Sequence, residues 1–423
     1  MNSRERVRIA LEHKEADKVP VDFGSSGVTG IHVSTLYQLR QALGLDKPGT
    51  PVKVIDPVQM LGEVSYDLVQ ALEIDTVRIG KASTAFGFRN ENFKEWKFWD
   101  GTPLLIAEKI NTTPDKDGNI YQYPEGDTAL EPSAHMPKNG YYFDSLIRQE
   151  PIDEDKLDPR DNVEEYKPIS ESDLLYFKNS AEELFNNTDR AVVASFGGTD
   201  FGNVAQIPGT SLRRPKGIRD ITEWYVSLAM RKEYVKKMFE LQLEISLENL
   251  KKIKPLAEDK ISVIMVSGVD FGTQNGPMVS PEAFEELFKP YYKKVNDWIH
   301  KNTKWKTFYH SCGGIAPLLD QFYEMGVDIL NPVQTAATGM DPVMLKEKYG
   351  KKFTFWGGGI DTQSTLPFGT PEEIKAQVKE RFRIFSPDGG FVFNSIHNVQ
   401  AGIPVKNLLA MFEAIKEARK YRY

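Results

Sequence analysis

The residues best suited to chemistry in this chain sit where short apolar runs end. His310-Ser311-Cys312 is the sharpest group. A His-x-Cys pair leaving a strand can present both side chains to one ion, and soft thiolate plus imidazole suits zinc. Two ligands do not close a site. His397, at the end of another run, offers a third ligand, and Asp270 or Asp361 a fourth, a place that water or substrate could take instead. The competing reading is that Cys312 is a small buried residue and His310 a hydrogen-bonded core histidine. His397 has a second candidate role, as general acid/base or hydrogen-bond donor to a substrate, because an unperturbed imidazole titrates near neutrality. His13, His32, His135 and His300 fall on expected helices or loops away from the strand ends and read as surface or structural residues. Gly357-Gly358-Gly359 has neither the G-x-G-x-x-G spacing of a dinucleotide fold nor the lysine of a P-loop, so a tight turn or close ligand approach explains it better.

Positioning these groups falls to eight runs that are apolar on both faces: 19–24, 75–80, 191–197, 261–267, 306–310, 329–333, 353–357 and 390–395. Such runs read as buried parallel strands, since half-exposed strands alternate with polar residues. Segments of helical period lie among them, at 33–43, 61–72, 171–185, 231–253, 281–300, 316–325, 342–349, 371–384 and 405–416. An amphipathic stretch at 3–14 precedes the first run. Ser280-Pro281 and Thr370-Pro371 are helix-start signals, an N-cap hydroxyl before a proline at the first helical position. Strand–helix alternation of this kind predicts an α/β fold, a (β/α)8 TIM barrel, spanning residues 1–423 as a single domain.

In such a barrel catalytic groups cluster at the C-terminal ends of the strands. The catalytic candidates are therefore His397, Asp270 and Asp361, and the metal candidates His310, Cys312 and His397. Substrate contacts are expected, from strand position, at Asn331, Gln334, Gln274, Asn275, Tyr309 and Arg78. Residues 81–168 break the rhythm with clustered Gly, Asp, Asn and aromatic residues, and read as a hairpin-rich, β-rich insertion after the second strand, packed near the barrel mouth. Asp117-Gly118 is a candidate type I′ turn within it.

Composition bounds the partners. The chain has 423 residues, with 53 Lys plus Arg against 60 Asp plus Glu, a net charge of −7. That balance disfavours nucleic acid, which calls for a basic face. Mean hydropathy is −0.43, and no apolar run approaches the ~18 residues of a bilayer helix. The charged N-terminus lacks the apolar core of a signal peptide. One cysteine cannot form an internal disulfide, and a reducing, cytoplasmic setting is expected. Aromatic residues in the insertion leave room for a homodimer.

Several segments resemble the uroporphyrinogen decarboxylase superfamily. They are 269–282, His310-Ser311-Cys312-Gly313-Gly314, Asn331-Pro332-Val333-Gln334, Trp356-Gly357-Gly358-Gly359-Ile360-Asp361 and 394–400, together with the opening at 4–21. The resemblance covers most of the chain outside 81–168 and implies a (β/α)8 barrel. It also implies one of two chemistries. True decarboxylases strip carboxyl groups from porphyrinogens without a cofactor, using an arginine-bearing N-terminal segment and an aspartate after the second strand. The other branch passes methyl groups between a substrate and a cobalamin-binding protein, and its zinc-dependent members use a His-x-Cys pair plus a later cysteine.

This chain has no arginine in Phe23-Gly24-Ser25-Ser26-Gly27-Val28-Thr29-Gly30, and reads Gly80-Lys81-Ala82-Ser83 where the decarboxylases carry their aspartate. Arg213, Arg214 and Arg219 could compensate if their loop folds over the mouth. His310 and Cys312 match the transferase pair, and His397 falls about where the later cysteine would be. The leading expectation is a zinc-assisted methyltransferase handling a small-molecule methyl donor or acceptor with a cobalamin-binding partner protein. A metal-independent decarboxylase and a non-catalytic binding barrel are the alternatives.

Overall fold

Seven parallel strands form one curled sheet in the computed structural model, which describes residues 1–421. Across the sheet they run Thr76–Ile79, Ala191–Ala194, Val263–Ser267, Lys306–His310, Ile329–Asn331, Thr354–Trp356 and Phe391–Val392. Each lies within a run expected from sequence. The first run closes the ring with a single parallel bridge, Val21 to Phe393, and no regular strand. Asp22 N–H donates to Phe393 O (2.9 Å), Phe393 N–H to Pro20 O (2.9 Å) and Asp75 N–H to Val21 O (2.8 Å). Pro20 has no N–H of its own and Gly24 turns the chain at a φ of 98°, so the ladder cannot extend in either direction. The result is a TIM-barrel-like fold.

Strand alternation sorts side chains between two cores. Ala191, Val193, Val263, Phe308, Ile329, Trp356 and Val392 fill the barrel interior, where Val7 and Leu11 join them. Those two come from the helix Ser3–Leu11, started by a capping box between Asn2 and Glu5. The alternate residues of the strands pack outward against the helices. Helices Val33–Ala42, Glu171–Asn187, Lys232–Ala257, Pro342–Tyr349, Pro371–Phe385 and Val405–Ala418 follow the expected periods. The Ser280 and Thr370 hydroxyls cap their helices by accepting from Ala283 N–H and Glu373 N–H.

Three local expectations need correction, and one helix was not expected. Residues 61–72 are not one helix: Leu61–Gly62 pairs antiparallel with Val52–Asp56, and the helix is only Tyr66–Ala71. Gly62 permits this, since a Cβ there would sit 2.5 Å from Leu36. The 281–300 helix divides into Pro281–Leu287 and Lys289–Asn302, with Pro290 unable to continue the first ladder. A helix absent from the sequence reading, Ile221–Met230, is capped by the Asp220 carboxylate. Asp117-Gly118 is not a type I′ turn: only Gly118 has a positive φ, and I′ needs two such residues.

Between the second and third barrel strands the chain is β-rich. Pro103–Ala107 and Phe93–Lys97 extend the sheet begun by Leu61–Gly62 and Val52–Asp56, while Ile120–Gln122, Ala134–Met136 and Asp144–Ser145 form a second sheet. Residues on both sides of the second barrel strand therefore share one cap. Tyr142 hydroxyl donates to Gln400, which follows the eighth strand, and Arg148 donates to Gly209 O (2.6 Å) and Leu212 O (2.9 Å), after the third. Among the described residues no helix is long and apolar enough to cross a membrane.

Candidate functional site

On the strand Lys306–His310, Phe308 faces the interior and Tyr309 the helices, so His310 faces inward again at the C-terminal end. Its neighbour in register is Asn331. Asn331 donates its Nδ2 to Trp356 O (2.6 Å), which turns its Oδ1 to His310 Nδ1 at 2.5 Å. An amide oxygen can only accept, so Nδ1 of His310 carries a proton, and in the neutral ring Nε2 presents a lone pair.

That lone pair faces Cys312 Sγ at 3.4 Å and Asp270 Oδ1 at 3.5 Å. The Asp270 carboxylate is held there by Cys312 N–H, at 2.7 Å. A carboxylate, an imidazole nitrogen and a thiol thus converge, a donor set that a cation can share. Burial, with Asp270 adding to it, pushes the Cys312 thiol well above its ordinary pKa. The sulfur is therefore a neutral thiol until a cation stabilises its thiolate.

His397 closes the group from the eighth strand's loop, in the left-handed region at a φ of 68°. Its ring lies 5.1 Å from that of His310, tilted by 68°. Nδ1 accepts from Asn398 N–H at 2.8 Å, which leaves the proton on Nε2. Burial, then repulsion from His310, lowers its pKa to about 4, with Asp270 opposing. The ring is neutral at pH 7.

The ligand atoms of His310, Cys312 and His397 lie within 4.8 Å of one another. Neighbouring ligands of a tetrahedral zinc site, with Zn–N about 2.0 Å and Zn–S about 2.3 Å, sit about 3.5 Å apart. His310 and Cys312 already have that spacing; His397 has about an ångström to close. The donor set fits zinc.

Glycines let the supporting loops cross. A Cβ on Gly313, whose φ is 89°, would lie 2.3 Å from the Gly272 backbone, so the loops carrying Asp270 and Cys312 meet only because both positions lack side chains. Gln334 braces them: its Oε1 accepts from Gly313 N–H (2.8 Å) and its Nε2 donates to Gln274 Oε1 (3.0 Å). Gln274 in turn donates to Ala336 O (2.5 Å). Gly357 works in the same way, since a Cβ there would be 2.2 Å from Pro332 O.

Other candidates lie elsewhere. Tyr309 is buried on the outer face, its hydroxyl 3.0 Å from Asn296 Oδ1, because the two-residue strand period turns it away from the mouth. Asp361 accepts from Gln363 N–H (2.7 Å) and the Ser364 hydroxyl (2.7 Å), so it shapes its own turn. Asn275 is exposed at the tip of a short hairpin, Gly272–Thr273 with Gly276–Pro277. Arg78 is on the second barrel strand, three strands away from that of His310. Arg213 is paired with Glu125 (2.7 Å) and Arg219 with Glu165 (2.8 Å), so neither is free to neutralise a polycarboxylate at the mouth.

Two supporting groups, Asp22 and Gln59, escaped the sequence reading. Asp22, fully buried, accepts from Ser25 Oγ (2.8 Å), Thr76 Oγ1 (2.6 Å) and Trp356 Nε1 (2.8 Å), knotting three strands beneath the mouth. Its signal was an acid inside an apolar run. Asn398 donates to Gln59 Oε1 (2.9 Å) and Gly27 O (3.0 Å), fixing the loop of His397; nothing local marked Gln59.

The sequence model of the family described as Uroporphyrinogen decarboxylase (URO-D) matches residues 143–418. A uroporphyrinogen decarboxylase of Prochlorococcus marinus is 27% identical over 180 residues, 41% of this chain and 49% of that protein. One from Synechococcus is 29% identical over 138 residues, 33% of this chain and 37% of the relative. These matches span half or less of the curated relatives' length. Among solved structures, a methyltransferase from Methanosarcina mazei superposes over 99% of both chains with a TM-score of 0.54 at 15% identity, a likeness of fold.

Proposed function

The chain belongs to the uroporphyrinogen decarboxylase family, and from that premise we propose that it is a zinc-assisted methyltransferase, moving a methyl group between a small substrate and a separate cobalamin-binding protein. The observation that carries this reading is the convergence of His310, Cys312 and His397 within 4.8 Å, with the His310 lone pair already turned inward by Asn331. A fold shared with a protein named as a methyltransferase supports it. The lone thiol suits a reducing, cytoplasmic setting.

Bound zinc would supply Lewis acidity, polarising a methyl donor or lowering the pKa of an acceptor thiol. The chain's own residues do the rest. Asn331 holds the His310 proton on Nδ1, and Asp270 positions the Cys312 backbone. To ligate through Nε2, His397 must release the Asn398 contact so that its proton can move to Nδ1, which makes it the weakest of the three ligands. Where it does not ligate, its Nε2–H donates to substrate.

Elemental analysis of protein purified without a metal-affinity tag tests this. About one zinc per chain is expected, lost in Cys312→Ser and only reduced in His397→Ala. A Cys312→Ser variant with undiminished metal would refute the site. The names of the curated relatives favour a second reading, a metal-independent decarboxylase. Steady turnover of uroporphyrinogen by the purified protein, unaffected by loss of Cys312, would establish that one instead.

A further inference from the structure

A cavity of about 750 Å³ lies between the second barrel strand, the cap sheet and the helix Glu171–Asn187. That volume is in the range of small-molecule sites. Four cationic side chains line it, and two are satisfied: Lys53 pairs with Glu63 (2.8 Å), and Arg89 with Asp173 (2.9 Å) and Glu91 (3.3 Å). Arg78 and Lys81 have no hydrogen bond or ion pair among the described residues, and Arg78 Nη1 is buried with no partner. A guanidinium nitrogen buried without a partner is costly, and proteins seldom keep one without a use for it.

Arg78 shares its register position with Val193 of the interior core, so it leaves the strand on the barrel's inner face and runs up beside Gly80. A Cβ on Gly80 would lie 2.8 Å from the Arg78 Nε, and one on Gly197 would lie 2.4 Å from the Lys81 Cε. Two glycines thus make room for two cations. Burial lowers the pKa of Arg78, and the Asp56 carboxylate opposes that shift. Asp56 itself is engaged by the backbone N–H groups of Val58 (3.0 Å) and Gln59 (3.1 Å) and does not bond to the guanidinium. The acid on the helix side, Glu183, is exposed. Phe23, Tyr66, Phe93 and Tyr176 give the cavity aromatic walls.

We infer that this cavity binds a small molecule with an apolar or aromatic body and one anionic group, a carboxylate, sulfonate or phosphate, which Arg78 and Lys81 grip together. The inference stands whether or not metal occupies the His310 site.

Calorimetric titration of the full-length protein with benzenesulfonate and phenyl phosphate, at constant ionic strength and with benzyl alcohol as the neutral control, tests it. Both anions should bind and the alcohol should not. Arg78→Met should bind the anions at least about tenfold more weakly, yet melt at the same temperature or higher, because the change removes a buried nitrogen that has no partner. Gly80→Ala keeps the charge but displaces the guanidinium, and should also weaken binding; it serves if Arg78→Met does not fold. Cys312→Ser should bind as the wild type does, which separates this site from the metal reading. Anions that bind no better than the alcohol, or variants that bind them undiminished, would overturn it.

Discussion

Single side chains set proton positions in this molecule, and those positions are open to test. Asn331 accepts from His310 Nδ1 at 2.5 Å, and hydrogen-bond partners of this kind typically govern metal affinity by about 10- to 100-fold. Asn331→Leu should therefore weaken zinc binding by about that factor, read by competition with a chelating dye; unchanged affinity would remove its orienting role. His32 is a second case. It is 1% exposed, its Nδ1 accepts from Ser34 N–H (3.2 Å) and its Nε2 donates to Tyr141 O (3.2 Å), a fully used neutral ring. Burial lowers its pKa from 6.5 to about 4, so the unfolded chain takes up the proton first as pH falls. Stability from this group is complete above pH 6.5 and is lost between there and pH 4. Between pH 7 and pH 5 the loss should be about 2 kcal/mol, and in His32→Asn urea melts should lack that component.

At the scale of elements, glycines decide how closely loops can approach. Gly313 has a φ of 89° and a neighbouring backbone where its Cβ would go, whereas a Cβ on Gly44, at 68°, would meet nothing within 4 Å among the described residues. Both alanine variants carry the conformational penalty of about 1 kcal/mol, but only Gly313→Ala adds a backbone clash. Chemical denaturation should show Gly44→Ala losing about 1 kcal/mol and Gly313→Ala at least about 2 kcal/mol. Equal losses would mean that the two loops can separate without cost. The same contrast bears on function, since the Gly313 crossing is what carries Cys312 to Asp270.

For the whole molecule, closure of the ring depends on a buried charge cluster at the end opposite the mouth. Asp75, 1% exposed, is bound by Arg6 of the first helix (2.5 Å) and by Arg419 beyond the last, which is also 1% exposed. Arg419 further donates to Val19 O (3.0 Å), and Arg6 to Asp17 (2.8 Å). One carboxylate thus ties both ends of the chain to the second strand. Removing one partner of a buried pair leaves the others uncompensated, at a cost of about 3–5 kcal/mol. Asp75→Asn should show a loss of that size in urea unfolding; a loss below about 1 kcal/mol would mean that the cluster contributes little to closure.

Much of this was legible along the chain. The apolar runs and the 3.6-residue periods located the barrel strands and most helices, because each depends on neighbours within a few residues. His310-Ser311-Cys312 at a strand end was legible for the same reason, as was the group of strand ends that carry polar residues. Other features depended on pairing between distant segments. Residues 52–62 joined the cap sheet through partners at 103–107, and no local pattern records such a choice. Alternation placed Tyr309 on the outer face once the strand's register was set. The proton on His310 was assigned by Asn331, and the orphaned state of Arg78 by what the cavity around it lacks. Sequence determined which groups the fold has to work with. Tertiary packing decided which of them meet, because direction and burial come from contacts between residues far apart in the chain.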